Sequence, residues 1–292
     1  MGSPLNLSII APCTGRKAWS GPSLDRAQLE QFHAGRGRGT GGSGGSGELP
    51  RFPATELYTG LGHVLLRRGI DAFRAGPGSS GAPGSSGAPG SSGAPGSSGA
   101  PGSSGAPGSS GAPGSSGAPG SSGAAELTLH IVSAGMGVVA ERELIPPYEA
   151  TFTTLGGRAR LAWAQTLGIP EKIAAVFAQP ADLRLVLLGR EYLEVSALPP
   201  ITDGTPTIVL AAPSVADLVP AGALHVPLGQ AHARRFHATL IALKGELVRR
   251  LLSDAALWRR PDVRELLAWR DAQAFLELCE KGSAGLSAGA RR

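Results

Sequence analysis

The sequence predicts an α/β fold: a largely parallel or mixed central sheet flanked by helices, with two disordered low-complexity insertions. Three observations carry that expectation. Short apolar runs of strand length recur at 5–11, 127–133, 183–189 and 206–213. Segments with a helical apolar repeat stand between them. Finally, GRGRGTGGSGGSG at 35–47 and seven copies of GSSGAP followed by GSSG at 78–123 hold no apolar side chain larger than Ala or Pro. Burial cannot offset the entropy of ordering such stretches. Without them about 230 residues remain, a size that suits one compact domain. The expected organisation is one α/β domain over 1–281, interrupted at 35–47 and 78–123, with a disordered tail over 282–292.

LNLSIIA, between Pro4 and Pro12, reads as a buried first strand, and PCTGRKAWSG as the loop at its end. SLDRAQLEQFHA reads as a short helix with Ser23 as N-cap and an Arg26–Glu30 pair at i,i+4 spacing. From about Thr59 to Ala75 a helix is expected, with Leu61, Val64, Leu65, Ile70 and Phe73 on its apolar face. Connections between a helix and a strand usually take a few residues. The repeat at 78–123 is therefore expected to be an insertion in a surface loop, either a repeat expansion or an engineered linker, and not a collagen strand. In LTLHIVS, Leu127, Leu129 and Ile131 alternate with Thr128, His130 and Val132, as in a strand.

Residues 156–178 read as two helical pieces broken at Gly168-Ile169-Pro170. LRLVLLG has a continuous apolar centre, as strands buried on both faces do. REYLEVSAL reads as a helix, PTIVLAAP as another buried strand and HVPLG as a short strand or extended turn. A single basic amphipathic helix is expected from Ala231 to about Leu252, and a last helix over 261–281 with Pro261 in its first turn.

The net charge is +5 and the pI about 9.7. That balance permits binding to nucleic acid or other anions without requiring it. Cys13 and Cys279 lie far apart and form no CxxC site. His225, His232 and His237 lack the spacing and the companion ligands of a metal set, so no metal is expected. Neither a GxGxxG nor a Walker loop is present, and no cofactor is expected. No signal peptide is expected, and no apolar run reaches spanning length. A soluble cytoplasmic protein without a membrane partner is the expectation.

Ligands of open α/β sheets bind beyond the C-terminal ends of the strands. Three loops there draw attention: Pro12-Cys13-Thr14-Gly15-Arg16-Lys17, Ser133-Ala134-Gly135-Met136-Gly137 and Gly189-Arg190-Glu191-Tyr192. Small residues let a ligand approach the backbone, and Arg16, Lys17 and Arg190 supply positive charge. The same small residues also suit tight packing of strand on helix. Glu56 and Tyr58 stand just before a helix; Glu56 is either a general base or a carboxylate favoured by the helix dipole. Cys13, followed by Arg16 and Lys17, is either a peroxide-reactive thiol or a small buried side chain.

The run HIVSAGMGVVAERELIPPYEATF is similar to a signature of the YaaA-like (peroxide stress) superfamily, on Ser133, Gly137, Val138, Val139, Glu143, Ile145, Pro147 and Tyr148. IIAPCTGRK, PATELYTG and LVLLGREYLEVSAL resemble further blocks of that family in the same order. The likeness is closer to an uncharacterised sister group than to YaaA itself. It implies a mixed α/β fold with a basic cleft, DNA binding and protection from oxidative damage. Two functions are therefore expected as alternatives. One is DNA binding through Arg16, Lys17, Arg190 and the helix carrying Arg234 and Arg235. The other is an enzyme acting on a nucleobase or nucleotide in the same cleft. There a base would stack on Tyr148 or Tyr192, Ser133 would hold a polar edge, and Glu56 would supply acid–base chemistry.

Overall fold

Leu7, Ile9, Ile10 and Ala11 are all buried, because the first strand, β1 (Asn6–Pro12), lies in the middle of the sheet with a parallel neighbour on each side. The computed structural model describes residues 5–35, 49–76, 125–268 and 271–289, without the side chains of 282–289. The repeat at 78–123, and the Gly-rich stretch from residue 36 onward, lie outside the described residues.

After β1 come α1 (Arg26–His33), β2 (Phe52–Pro53), α2 (Ala54–Leu57) and α3 (Leu61–Ala75). The chain continues through β3 (Glu126–Ser133), β4 (Gly137–Ala140), β5 (Leu144–Ile145), α4 (Gly157–Thr166), α5 (Ile169–Phe177), β6 (Leu183–Val186) and α6 (Arg190–Ser196). It ends with β7 (Thr207–Ala211), β8 (Leu224–Pro227), α7 (Gln230–Arg235), α8 (Leu243–Ser253), α9 (Val263–Leu267) and α10 (Ala272–Gly289). Six strands form the main sheet in the order β4-β3-β1-β6-β7-β8. All neighbours run parallel except β4, which turns back antiparallel on β3. The sheet is thus mixed and mostly parallel, as the apolar runs predict. One group of helices holds α3, α8 and α10, another α4, α5 and α6.

Several elements differ from the sequence reading, each for a local reason. The N-cap of α1 is Asp25, not Ser23: its carboxylate accepts the Gln28 N–H at 2.8 Å while Gln28 Oε1 accepts the Asp25 N–H, a capping box. The expected Arg26–Glu30 pair is present at 3.0 Å. Helix α3 buries His63, Leu66, Gly69 and Ile70, while Leu61 is exposed. Its buried stripe is narrower and rotated because the partner, α8, approaches backbone to backbone. The basic segment 231–252 is not one helix: α7 stops at Arg235, and His237 takes a left-handed φ of 52° before α8 starts at Leu243. The last helical segment is likewise split into α9 and α10, and the backbone of α10 continues to Gly289.

The topology creates one special place. The chain leaves β1 toward β3 on one side and leaves β6 toward β7 on the other. Connections that diverge from two adjacent parallel strands open a crevice beyond their C-terminal ends.

Candidate functional site

A cavity of about 380 Å³ occupies that crevice. Its walls come from four segments: Ala11 to Arg16 beyond β1, Gly60 to Leu66 at the start of α3, Leu187 beyond β6, and Ile241, Lys244 and Gly245 at the start of α8. Leu66, Leu187 and Ile241 make it partly apolar; Arg16 and Lys244 are its cations, and no carboxylate lines it.

Lys244 reaches inward because it sits in the first turn of α8, on the side that packs against the end of β6. Its ammonium donates to the carbonyls of Leu187 at 3.0 Å and Leu188 at 2.7 Å. Burial lowers its pKa to about 8. His63 is 4% exposed, and neither ring nitrogen has a hydrogen-bond partner. Burial, and then the charge of Arg67, lower its pKa to about 4. The Thr55 backbone pulls weakly the other way without bonding to the ring at hydrogen-bond geometry. His63 is therefore neutral at pH 7, with one N–H to give and one lone pair to receive.

Most of the expected residues do converge on the tip of β1, but several serve packing there. Thr14 Oγ1 donates to the Arg16 carbonyl at 2.9 Å and accepts the Gly60 N–H at 3.2 Å, which ties the loop to the start of α3. Lys17 stands 4.6 Å from the centroid of the Tyr148 ring. Cys13 is buried and lies 3.1 Å from the Tyr192 hydroxyl. Tyr58 and Tyr148 are 0% exposed, with their hydroxyls 2.8 Å apart. Burial, and then the nearby Cys13 sulfur, hold Tyr58, Tyr148 and Tyr192 well above the usual phenol range. All three are neutral hydrogen-bonding groups.

The Ser133 loop is the turn of a β-hairpin. Ala134, Gly135 and Met136 form the turn of the β3–β4 hairpin, and Gly137 has the left-handed φ of 78° that closes it. Ser133 is 0% exposed; its Oγ accepts the Met136 N–H at 2.9 Å and meets the Tyr148 hydroxyl at 2.7 Å. A Cβ on Gly135 would lie 2.4 Å from the Tyr148 ring. The strand ends in small residues because a tyrosine ring lies against its turn, held by Pro147, whose carbonyl accepts the Leu24 N–H at 3.0 Å. Tyr148 has no open face for a base to stack on, and Ser133 has no free edge to offer.

The remaining candidates lie elsewhere. Glu56 is exposed and lines a second depression with Arg67, Asp71, Arg74 and Arg142, away from the β1 tip. Gly189 caps α6, and Arg190 donates to the Ser214 carbonyl and pairs with Glu194. Arg234 is exposed on α7, beyond the edge strand β8. Arg235, on the same helix, is bound through two nitrogens to Glu280 at 2.6 and 2.7 Å. The sequence reading missed His63 and Lys244. The available signal was Lys244 itself, one of four lysines in an Arg-rich chain, placed among Leu243, Leu247 and Leu251 on an apolar face. Among the described residues no group of three His, Cys, Asp or Glu side chains is placed to hold a metal. No helix of these residues is long and apolar enough to cross a membrane.

A family model for the collagen triple helix repeat matches residues 74–126. The match corrects the reading of the repeat: in triplets, Gly-Ser-Ser and Gly-Ala-Pro put Gly at every third position from Gly78 to Gly123, the collagen pattern. It covers less than a fifth of the chain and none of the cavity. No YaaA-like family model matches, so the resemblance to that superfamily is withdrawn, and the peroxide-stress role is left without support. The hairpin and the buried Tyr148 give the Ser133–Tyr148 run a packing role that owes nothing to that family. No curated protein and no solved structure matches the chain.

Proposed function

We propose that the chain binds a nucleotide, as a small ligand, in the cavity beyond β1 and β6. The observation that carries this reading is a cavity of about 380 Å³ whose charged lining residues are Arg16 and Lys244, with no carboxylate. Pockets of that size suit small ligands. Its position, where connections diverge from adjacent parallel strands, is where α/β sheets hold them. The walls formed by Leu66, Leu187 and Ile241 suit a base, and the cations suit an anionic group.

DNA binding is the weaker reading. A duplex needs cations free along one face to meet successive phosphates. Arg74, Arg160, Arg235, Arg249, Arg250, Arg260 and Arg264 are instead paired with carboxylates. Calorimetric titration with nucleoside monophosphates, beside labelled single- and double-stranded DNA at two salt concentrations, separates the two. The expected result is saturable one-site binding of a monophosphate, with DNA bound weakly and lost at the higher salt. Failure of nucleotides, nucleosides and nucleobases alike to bind at low salt overturns the proposal.

A further inference from the structure

Two long helices begin at this cavity. Helix α3 has 15 residues and α8 has 11, and neither starts with a side-chain cap. Among the described residues, the N–H groups of Leu61 and Gly62 on α3, and of Leu243, Lys244 and Gly245 on α8, have no backbone or side-chain acceptor. Their first turns touch: a Cβ on Gly245 would lie 2.0 Å from the Gly62 carbonyl oxygen. The positive ends of two helix dipoles therefore meet at one wall.

His63 is the independent sign that something occupies the space. A buried imidazole with both nitrogens unpartnered is uncommon, since unmet polar atoms in an interior are costly. The ring belongs to the first turn of α3 and lines this cavity. Lys244 uses two of its three donors on the carbonyls beyond β6, which leaves one for a ligand. Arg16 lines the cavity from the exposed loop beyond β1.

We propose that the meeting point of the α3 and α8 N-termini is a phosphoryl-binding site, with Lys244 and Arg16 supplying charge and His63 a neutral N–H donor. The proposal rests on the nucleotide reading and names which end of the ligand lies deepest. The phosphoryl group faces the helix starts, and the base lies outward against Ile241, which is 87% exposed.

The test is calorimetry with adenosine, adenosine monophosphate and inorganic phosphate as probes. The wild-type chain is compared with Arg16→Gln and His63→Gln. We expect the monophosphate to bind at least tenfold more tightly than adenosine, about 1.4 kcal/mol, and inorganic phosphate to compete with it. Both variants should weaken the monophosphate several-fold and leave adenosine unchanged. Equal affinity for adenosine and its monophosphate, without competition by phosphate, overturns the phosphoryl site while the nucleotide reading stands. Phosphate binding unaffected by either variant also overturns it. Binding of none of the three overturns the phosphoryl site, and the nucleotide reading falls with it when the other nucleotides, nucleosides and nucleobases fail to bind as well. Arg16 is exposed, so its variant decides the matter if His63→Gln does not fold.

Discussion

Burial takes Lys244 to a pKa of about 8, against 10.5 for an exposed lysine. Between those values the unfolded chain holds a proton that the folded chain has released, so stability rises with pH across the window. Below pH 8 the folded state carries the whole penalty, on the order of 3 kcal/mol. Lys244→Met removes it but leaves the carbonyls of Leu187 and Leu188 without their donor at every pH. In urea unfolding, the stability of the Met variant relative to wild type should therefore be most favourable near pH 7.5 and decline toward pH 10.5. A difference that stays flat over that range would mean that the two carbonyls hold the ammonium at its ordinary pKa. Cys13, Thr14 and Arg16 stand at the cavity, and their place beyond a central strand was legible from the apolar run before them. The directions of Ser133 and Glu56 were not legible, because residue type does not say which way a side chain faces. Ser133 points to a tyrosine, and Glu56 to solvent.

At the scale of elements, the packing of α3 on α8 positions both the cavity and the proposed anion site. The contact depends on glycine at 245, where a Cβ would stand 2.0 Å from the Gly62 carbonyl oxygen, a backbone atom that cannot rotate away. Gly245→Ala must push the helices apart. It should cost at least about 1–3 kcal/mol and weaken ligand binding through displacement of Lys244. Gly157→Ala, at the first residue of α4 with nothing within 4 Å of its Cβ, is the control. It should leave stability unchanged or raise it by less than about 1 kcal/mol. Urea unfolding of the two variants checks the pair; similar stabilities would show that the helices yield at no cost. Strands buried on both faces were legible because a continuous apolar run such as IVLA in β7 has few other uses. The β3–β4 hairpin was not, since small residues serve a ligand loop and a tight turn equally well. The break between α7 and α8 was hidden too, because a left-handed histidine leaves no mark in an otherwise periodic basic segment.

At the scale of the whole molecule, the sheet does not depend on the Gly-X-Y array for its closure. Arg74, in the last turn of α3, donates to the Leu127 carbonyl at 2.9 Å near the start of β3 and pairs with Glu141 at 2.8 Å. The two ends that the array joins are thus already side by side, and a short connection can span them. Alternation of strands and helices around the array was readable for the same reason: the array interrupts the sequence pattern without contributing to it. Replacing residues 77–124 with a Gly-Ser linker of about eight residues should preserve the fold. For a freely flexible connection it should raise stability by roughly 1.5 kcal/mol, through the smaller entropy of closing a shorter loop. Thermal unfolding of the shortened and full chains, each at two protein concentrations, checks this. A loss of stability in the shortened chain, with a concentration dependence seen only in the full one, would mean that the array holds copies of the chain together. A rise that is independent of concentration would place the array outside the energetics of the domain, as an insertion tolerated because α3 and β3 meet without it.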